Sequence, residues 1–178
     1  MKTGFSDYIE RWRHTLGYGV HSPLAFRIVK ECLHPESRYA MYADDYIDSV
    51  YGYSDRTARR RAYLLVRLVN TLLPHSIWMP GADRRIEDAV RQSFRSIHIS
   101  RARVCPKNAD FIAVFDDTDT AAAWKLLAGC ENACLISFAP RQSVIPEGAD
   151  APTLTICGRR YSVFLRRKGM APVSYTVI

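Results

Sequence analysis

Long apolar runs are missing from this sequence. No stretch approaches the roughly 20 residues a membrane-spanning helix needs, and the mean hydropathy is −0.16. The opening residues, MKTGFSDYIERWRH, carry no apolar core of a signal peptide. Paired cysteine motifs are missing as well. The five cysteines, at 32, 105, 130, 134 and 157, form no CxxC pair, and an odd count does not suit a disulfide framework. The histidines at 14, 21, 34, 75 and 98 show no HxH or HExxH spacing, and none stands at zinc-finger distance from a cysteine, which argues against a metal site. No G-x-S-x-G elbow and no Walker-type phosphate loop occurs, so hydrolase and nucleotide-triphosphatase chemistry lack support. These absences predict a reduced, soluble, cytoplasmic protein with no membrane association. They leave open whether it forms a homo-oligomer.

What is present is enough apolar material for a core: 48% of the 178 residues, with 24% charged. The net charge of +7 is unevenly placed. Residues 1–55 carry six Lys/Arg against eight Asp/Glu, residues 56–107 twelve against three, and residues 108–178 seven of each. Twenty of the 25 basic residues are Arg, whose planar fork favours directional contacts with carboxylate or phosphate. A solvated basic surface accounts for this pattern, and so does an anionic partner.

The first 75 residues read as helical. Phe5 to Leu16 forms one helix ended by Gly17 and Gly19. In HSPLAFRIVKECL, Ser22 is an N-cap and Pro23 stands at the first helical position, with Pro35 as the stop. YAMYADDYIDSVYGYS reads as a tyrosine-rich connector. From Asp55 to Leu73 the period is clear: Arg56, Arg60, Tyr63 and Arg67 fall on one stripe, and Ala58, Ala62, Leu65, Val66, Val69 and Leu72 on the opposite arc. That arrangement predicts an inward apolar face and an outward guanidinium face.

The pattern then changes to alternation. SIWMP is a short apolar run that gives a strand at Ile77–Pro80, and RRIEDAVRQSF is a helix with Ile86, Ala89, Val90 and Phe94 inward and Arg84, Arg91 and Arg95 outward. SIHIS follows as a strand. FIAVF is an uninterrupted apolar run, which fits a strand buried on both faces of a parallel sheet. TDTAAAWKLLAG reads as a helix capped by Thr118 or Asp119, and ACLISF as another buried strand. TLTIC and YSVFLR flank Gly158-Arg159-Arg160 as a hairpin, and VSYTVI closes the chain as a strand. The expected fold is α/β: a doubly wound, mostly parallel sheet with antiparallel C-terminal edge strands, residues 55–178, behind an N-terminal helical extension, residues 1–54.

Several blocks carry a resemblance. The HSP-x-x-F block (His21, Ser22, Pro23, Phe26), LLVRLVN before IWMPG, ADFIAVFDD, and the closing TICGRRYSVFLRRKGMAPVSYTVI resemble a bacterial family of class I S-adenosylmethionine-dependent methyltransferase-like proteins with an N-terminal helical extension. The resemblance implies a Rossmann-like methyltransferase domain, with Gly81, Asp83 and Asp116 as the matching cofactor-site positions. The departures are informative. Met79 stands where the family's first-loop acid would be, and Arg85 where its second glycine would be. The second strand ends in Ser100, followed by Arg101, where the ribose-binding acid is expected. Too few residues separate Ser100 from FIAVF for a full strand-and-helix unit, so one unit beside the adenine site is missing or reduced to a loop.

Two further constellations remain open. Asp116 and Asp117, with Asp119, stand at the carboxyl end of a buried strand and fit a metal site or a base, or helix capping with no chemistry. Arg84 and Arg85 open a helix, where an anion would suit both the helix dipole and the guanidinium groups, although side chains directed into water explain them equally. The expected function is a non-catalytic binding or scaffold role for a methyltransferase-like protein with an eroded S-adenosylmethionine site and no cofactor. The alternatives are a divergent active methyltransferase using Asp83 and Asp116, and an anion or nucleic-acid binder using Arg56, Arg60, Arg67, Arg84 and Arg85.

Overall fold

The computed structural model describes residues 4–33, 42–51, 55–115, 120–138 and 151–177. Local capping chemistry sets the helix boundaries. After α1 (Gly4–Thr15), Ser22 accepts the Ala25 N–H and starts α2 (Pro23–Arg27), which runs on as a π-helical turn over Ile28–Leu33. Asp55 accepts the Ala58 N–H and starts α4 (Arg56–Leu72). The residue before Pro74 is disfavoured from continuing a right-handed helix. Leu73 takes the left-handed conformation, φ 49°, and caps the helix end.

The segment expected to be a connector is instead a helix, α3 (Tyr42–Tyr51). Its inward residues are Ile47 and Tyr51, with Tyr46 and Val50 packed alongside. That is a helical spacing in which tyrosines occupy positions usually held by aliphatic residues.

The remaining elements are β1 (Ser76–Trp78), α5 (Arg84–Ser93), β2 (His98–Ser100), β3 (Phe111–Val114), α6 (Thr120–Lys125), β4 (Asn132–Ser137), β5 (Leu154–Cys157), β6 (Ser162–Arg167) and β7 (Val173–Thr176). The seven strands among the described residues make one sheet in the order β2-β1-β3-β4-β6-β5-β7. β2, β1, β3 and β4 are parallel neighbours, and β6 is antiparallel to both β4 and β5. The fold is therefore α/β with a mostly parallel sheet, and β1 lies beside β3. The antiparallel expectation needs correction at the edge. The reversed strand is β6, which lies inside the sheet, while the edge strand β7 runs parallel to β5. A hairpin fixes the β5–β6 pairing locally, whereas β7 returns across the hairpin and its direction depends on that crossing.

Apolar side chains cover both faces of the sheet. On one, Leu65, Leu68 and Val69 of α4 belong to a buried cluster with Ile77, Phe111, Cys134 and Ile136, and Ile28 and Ile47 join it from the N-terminal helices. The other face gathers Trp78, Ile112, Val114, Trp124, Leu127, Leu135 and Phe164. β3, buried at every residue, contributes to both, as expected for a central parallel strand. Asp110 locks it to its neighbour by accepting the His75 and Ser76 N–H groups, each at 2.9 Å. No described helix is long and apolar enough to cross a membrane.

Candidate functional site

The strand order reverses between β1 and β3: the chain leaves β1 toward β2 on one side and β3 lies on the other. In open α/β sheets ligands bind at the carboxyl ends of the strands at such a point. The loop leaving β1 is Met79-Pro80-Gly81-Ala82-Asp83. Met79 is fully buried and its N–H donates to the Ser100 carbonyl at 2.9 Å. Gly81 has φ +72°, and a Cβ there would meet nothing within 4 Å. The glycine is thus required by the turn itself and not by a close neighbour.

Asp83 caps α5 by accepting the Arg85 N–H at 3.0 Å. Its second oxygen accepts the Arg85 guanidinium, at 2.7 Å from Nε. The anion that meets Arg85 at this helix start is the protein's own Asp83. The Arg85 bond holds the Asp83 carboxyl below its ordinary range. A group lowered in the folded state adds stability above its unfolded pKa and loses it as pH falls through the folded value. Removing the guanidinium with Arg85→Ala is expected to return Asp83 toward the ordinary carboxylate range, read by a carbon-13 carboxyl titration. An unchanged titration would contradict the assigned cause.

Arg85 also lies over the Tyr51 ring, 4.7 Å from its centroid, which ties α3 to this loop. Tyr51 is 3% exposed and its hydroxyl has no hydrogen-bond partner among the described residues. Burial first, and then the Asp83 charge, push its ionisation well above the usual phenol value. Arg84, the next residue, is exposed.

The neighbouring strand offers no acid. Ser100 Oγ accepts the Ala102 N–H at 3.3 Å, and Arg101 reaches Glu87 at 3.6 Å. Residues 101–110 form no helix or strand, and Trp78 Nε1 donates to the Ala102 carbonyl at 2.8 Å, which holds this loop against β1. Beyond β3 and β4, Phe115 and Phe138 stack with centroids 5.1 Å apart, and Arg61 donates to the Phe138 carbonyl at 3.4 Å. Asp116, Asp117 and Asp119 lie outside the described residues. No group of His, Cys, Asp and Glu among the described residues is placed to hold a metal ion.

The arginine stripe on α4 divides. Arg56 and Arg60 are exposed as expected. Arg67 departs from that expectation: its side chain is 19% exposed, pairs with Asp44 of α3 at 3.6 Å and covers the Tyr63 ring at 5.1 Å. Sequence reasoning missed Tyr51, Arg61 and Glu87. Of these only Tyr51 left a signal, its spacing of four from Ile47.

No family model matches the chain, and neither the curated proteins nor the solved structures contain a match.

Proposed function

We propose that the chain is a methyltransferase-like domain whose S-adenosylmethionine site has eroded, and that it works by binding or as a scaffold without catalysis. The strand order supports the fold part of this reading. A doubly wound dinucleotide-binding sheet runs 3-2-1-4-5-6. The order β2-β1-β3-β4 corresponds to its 2-1-4-5 portion, with residues 101–110 in place of the third strand and its helix.

The observation that carries the functional part is the closure of Asp83 on Arg85. It is the loop's one acid, and a cofactor could reach it only by displacing a charge-assisted pair. Met79 is buried apolar surface, and Arg101 follows β2 where the resemblance would put the ribose-binding acid. The divergent-enzyme reading needs Asp83 released and Asp116 in partnership with it.

Nuclear magnetic resonance tests this at the residue concerned. On addition of about 1 mM S-adenosylhomocysteine, well above a typical micromolar cofactor affinity, the Gly81 and Ala82 amide signals are expected to stay in place. A saturable shift confined to that loop would overturn the eroded-site reading.

A further inference from the structure

We infer that the sheet edge formed by α5, β2 and residues 101–107 binds the phosphodiester backbone of a nucleic acid; this rests on reading the chain as a binding protein. Residues 84–107 hold seven Lys/Arg against two Asp/Glu, a net +5 of the chain's +7. Arg85 is held by Asp83 over Tyr51, and the other six cations are exposed. Glu87 receives Arg91 from its own helix at 2.8 Å and Arg101 from the loop at 3.6 Å. Its side chain is 19% exposed, against 49% for Arg91 and 39% for Arg101. The acid thus sits beneath while the guanidinium groups face outward, held in position by it. Arg84 and Arg95 are exposed at the two ends of α5, and Arg103 and Lys107 on the loop. None of these four makes an ion pair among the described residues. Among the described residues β2 pairs only with β1, so no described strand lies on its outer side.

Charges on an edge strand also guard against unwanted pairing. That task needs one or two charges of either sign, whereas this edge exposes six cations against the part-buried Glu87 and Asp88. Five of these six cations are Arg, whose fork matches phosphate oxygens in a bidentate manner. Contacts of this kind position a backbone and carry no sequence information, so the expected binding is sequence-independent and salt-sensitive. Arg56 and Arg60 stand on a different element, α4, so variants there separate this edge from the general positive charge of the molecule.

The test is fluorescence anisotropy of the full chain with labelled single-stranded RNA, the same DNA strand and its duplex, with polyglutamate as competitor. S-adenosylmethionine plays no part in it, so its failure is read separately from failure of the eroded-site reading. Binding at about 50 mM salt should weaken steeply by about 200 mM. The variant R95E/R103E/K107E should bind at least about tenfold more weakly with its melting temperature unchanged, while R56E/R60E stays within about threefold of the parent at the same salt. Absence of binding to all three nucleic acids, equal weakening by both variants, or displacement by polyglutamate as effective as by RNA would each overturn the proposal.

Discussion

Replacing Trp124 with alanine is expected to produce the largest loss of stability of any single change considered. The indole is fully buried on the α6 face of the sheet. Phe164 meets it edge-on at 6.4 Å between centroids, and the Arg166 guanidinium covers it at 5.1 Å while donating to the Leu127 carbonyl at 3.0 Å. Removing the ring opens a cavity among Ile112, Leu127 and Leu135 and strips the cover from the Arg166 side chain. A buried Trp→Ala change costs about 3–5 kcal/mol. In a chain of this size each kcal/mol lowers Tm by about 2–4 °C, so a fall of roughly 10 °C or more is expected in a calorimetric melt. A fall of only a degree or two would mean that this face of the sheet is loosely covered.

The second large effect separates Arg67 from the other members of its stripe. Arg56→Glu and Arg60→Glu alter exposed side chains and should each change stability by less than about 0.5 kcal/mol. Arg67→Glu is different. It places a carboxylate against Asp44, whose side chain is 17% exposed, and removes the cation covering Tyr63. Breaking a largely buried pair while adding a like charge costs about 3 kcal/mol. Denaturant unfolding of the three single variants checks this. Equal, small effects would show that Arg67 belongs to the solvated face after all.

Arg67 also shows where sequence reasoning stops. Its position on α4 follows from local signals: Asp55 as cap, Pro74 beyond the end, and an apolar arc between them. Its burial depends on α3, a different element, and no pattern within α4 reveals an acid arriving from outside. α3 itself was hidden because tyrosines occupy its inward positions, so hydrophobic periodicity read it as a connector. The π-helical turn at Ile28–Leu33 has the same apolar residues as an ordinary helix and left no separate mark. β3 and the β5–β6 hairpin were legible, since an unbroken apolar run and a Gly-containing turn are local features. The parallel direction of β7 depends on distant pairing and was not.

The candidate site divides in the same way. Asp83 as a helix cap follows from its place before Arg84-Arg85-Ile86. That the same carboxylate also holds Arg85, and that Arg85 then covers Tyr51, are side-chain geometries that sequence spacing does not specify. The shortened connection at 101–110 was visible as a length. Its attachment through Trp78 to the Ala102 carbonyl was not.

The central claim is that the loop after β1 no longer receives S-adenosylmethionine, and isothermal titration calorimetry on the full chain tests it most directly. Each charged hydrogen bond lost from such a site removes roughly 1.5–3 kcal/mol. Losing two takes most of the about 8 kcal/mol of a micromolar affinity. The account predicts no measurable heat of binding for S-adenosylmethionine or S-adenosylhomocysteine at ligand concentrations up to about 100 μM, the affinity that corresponds to roughly 5.5 kcal/mol. A Kd tighter than that for either compound would contradict it and restore the enzyme reading.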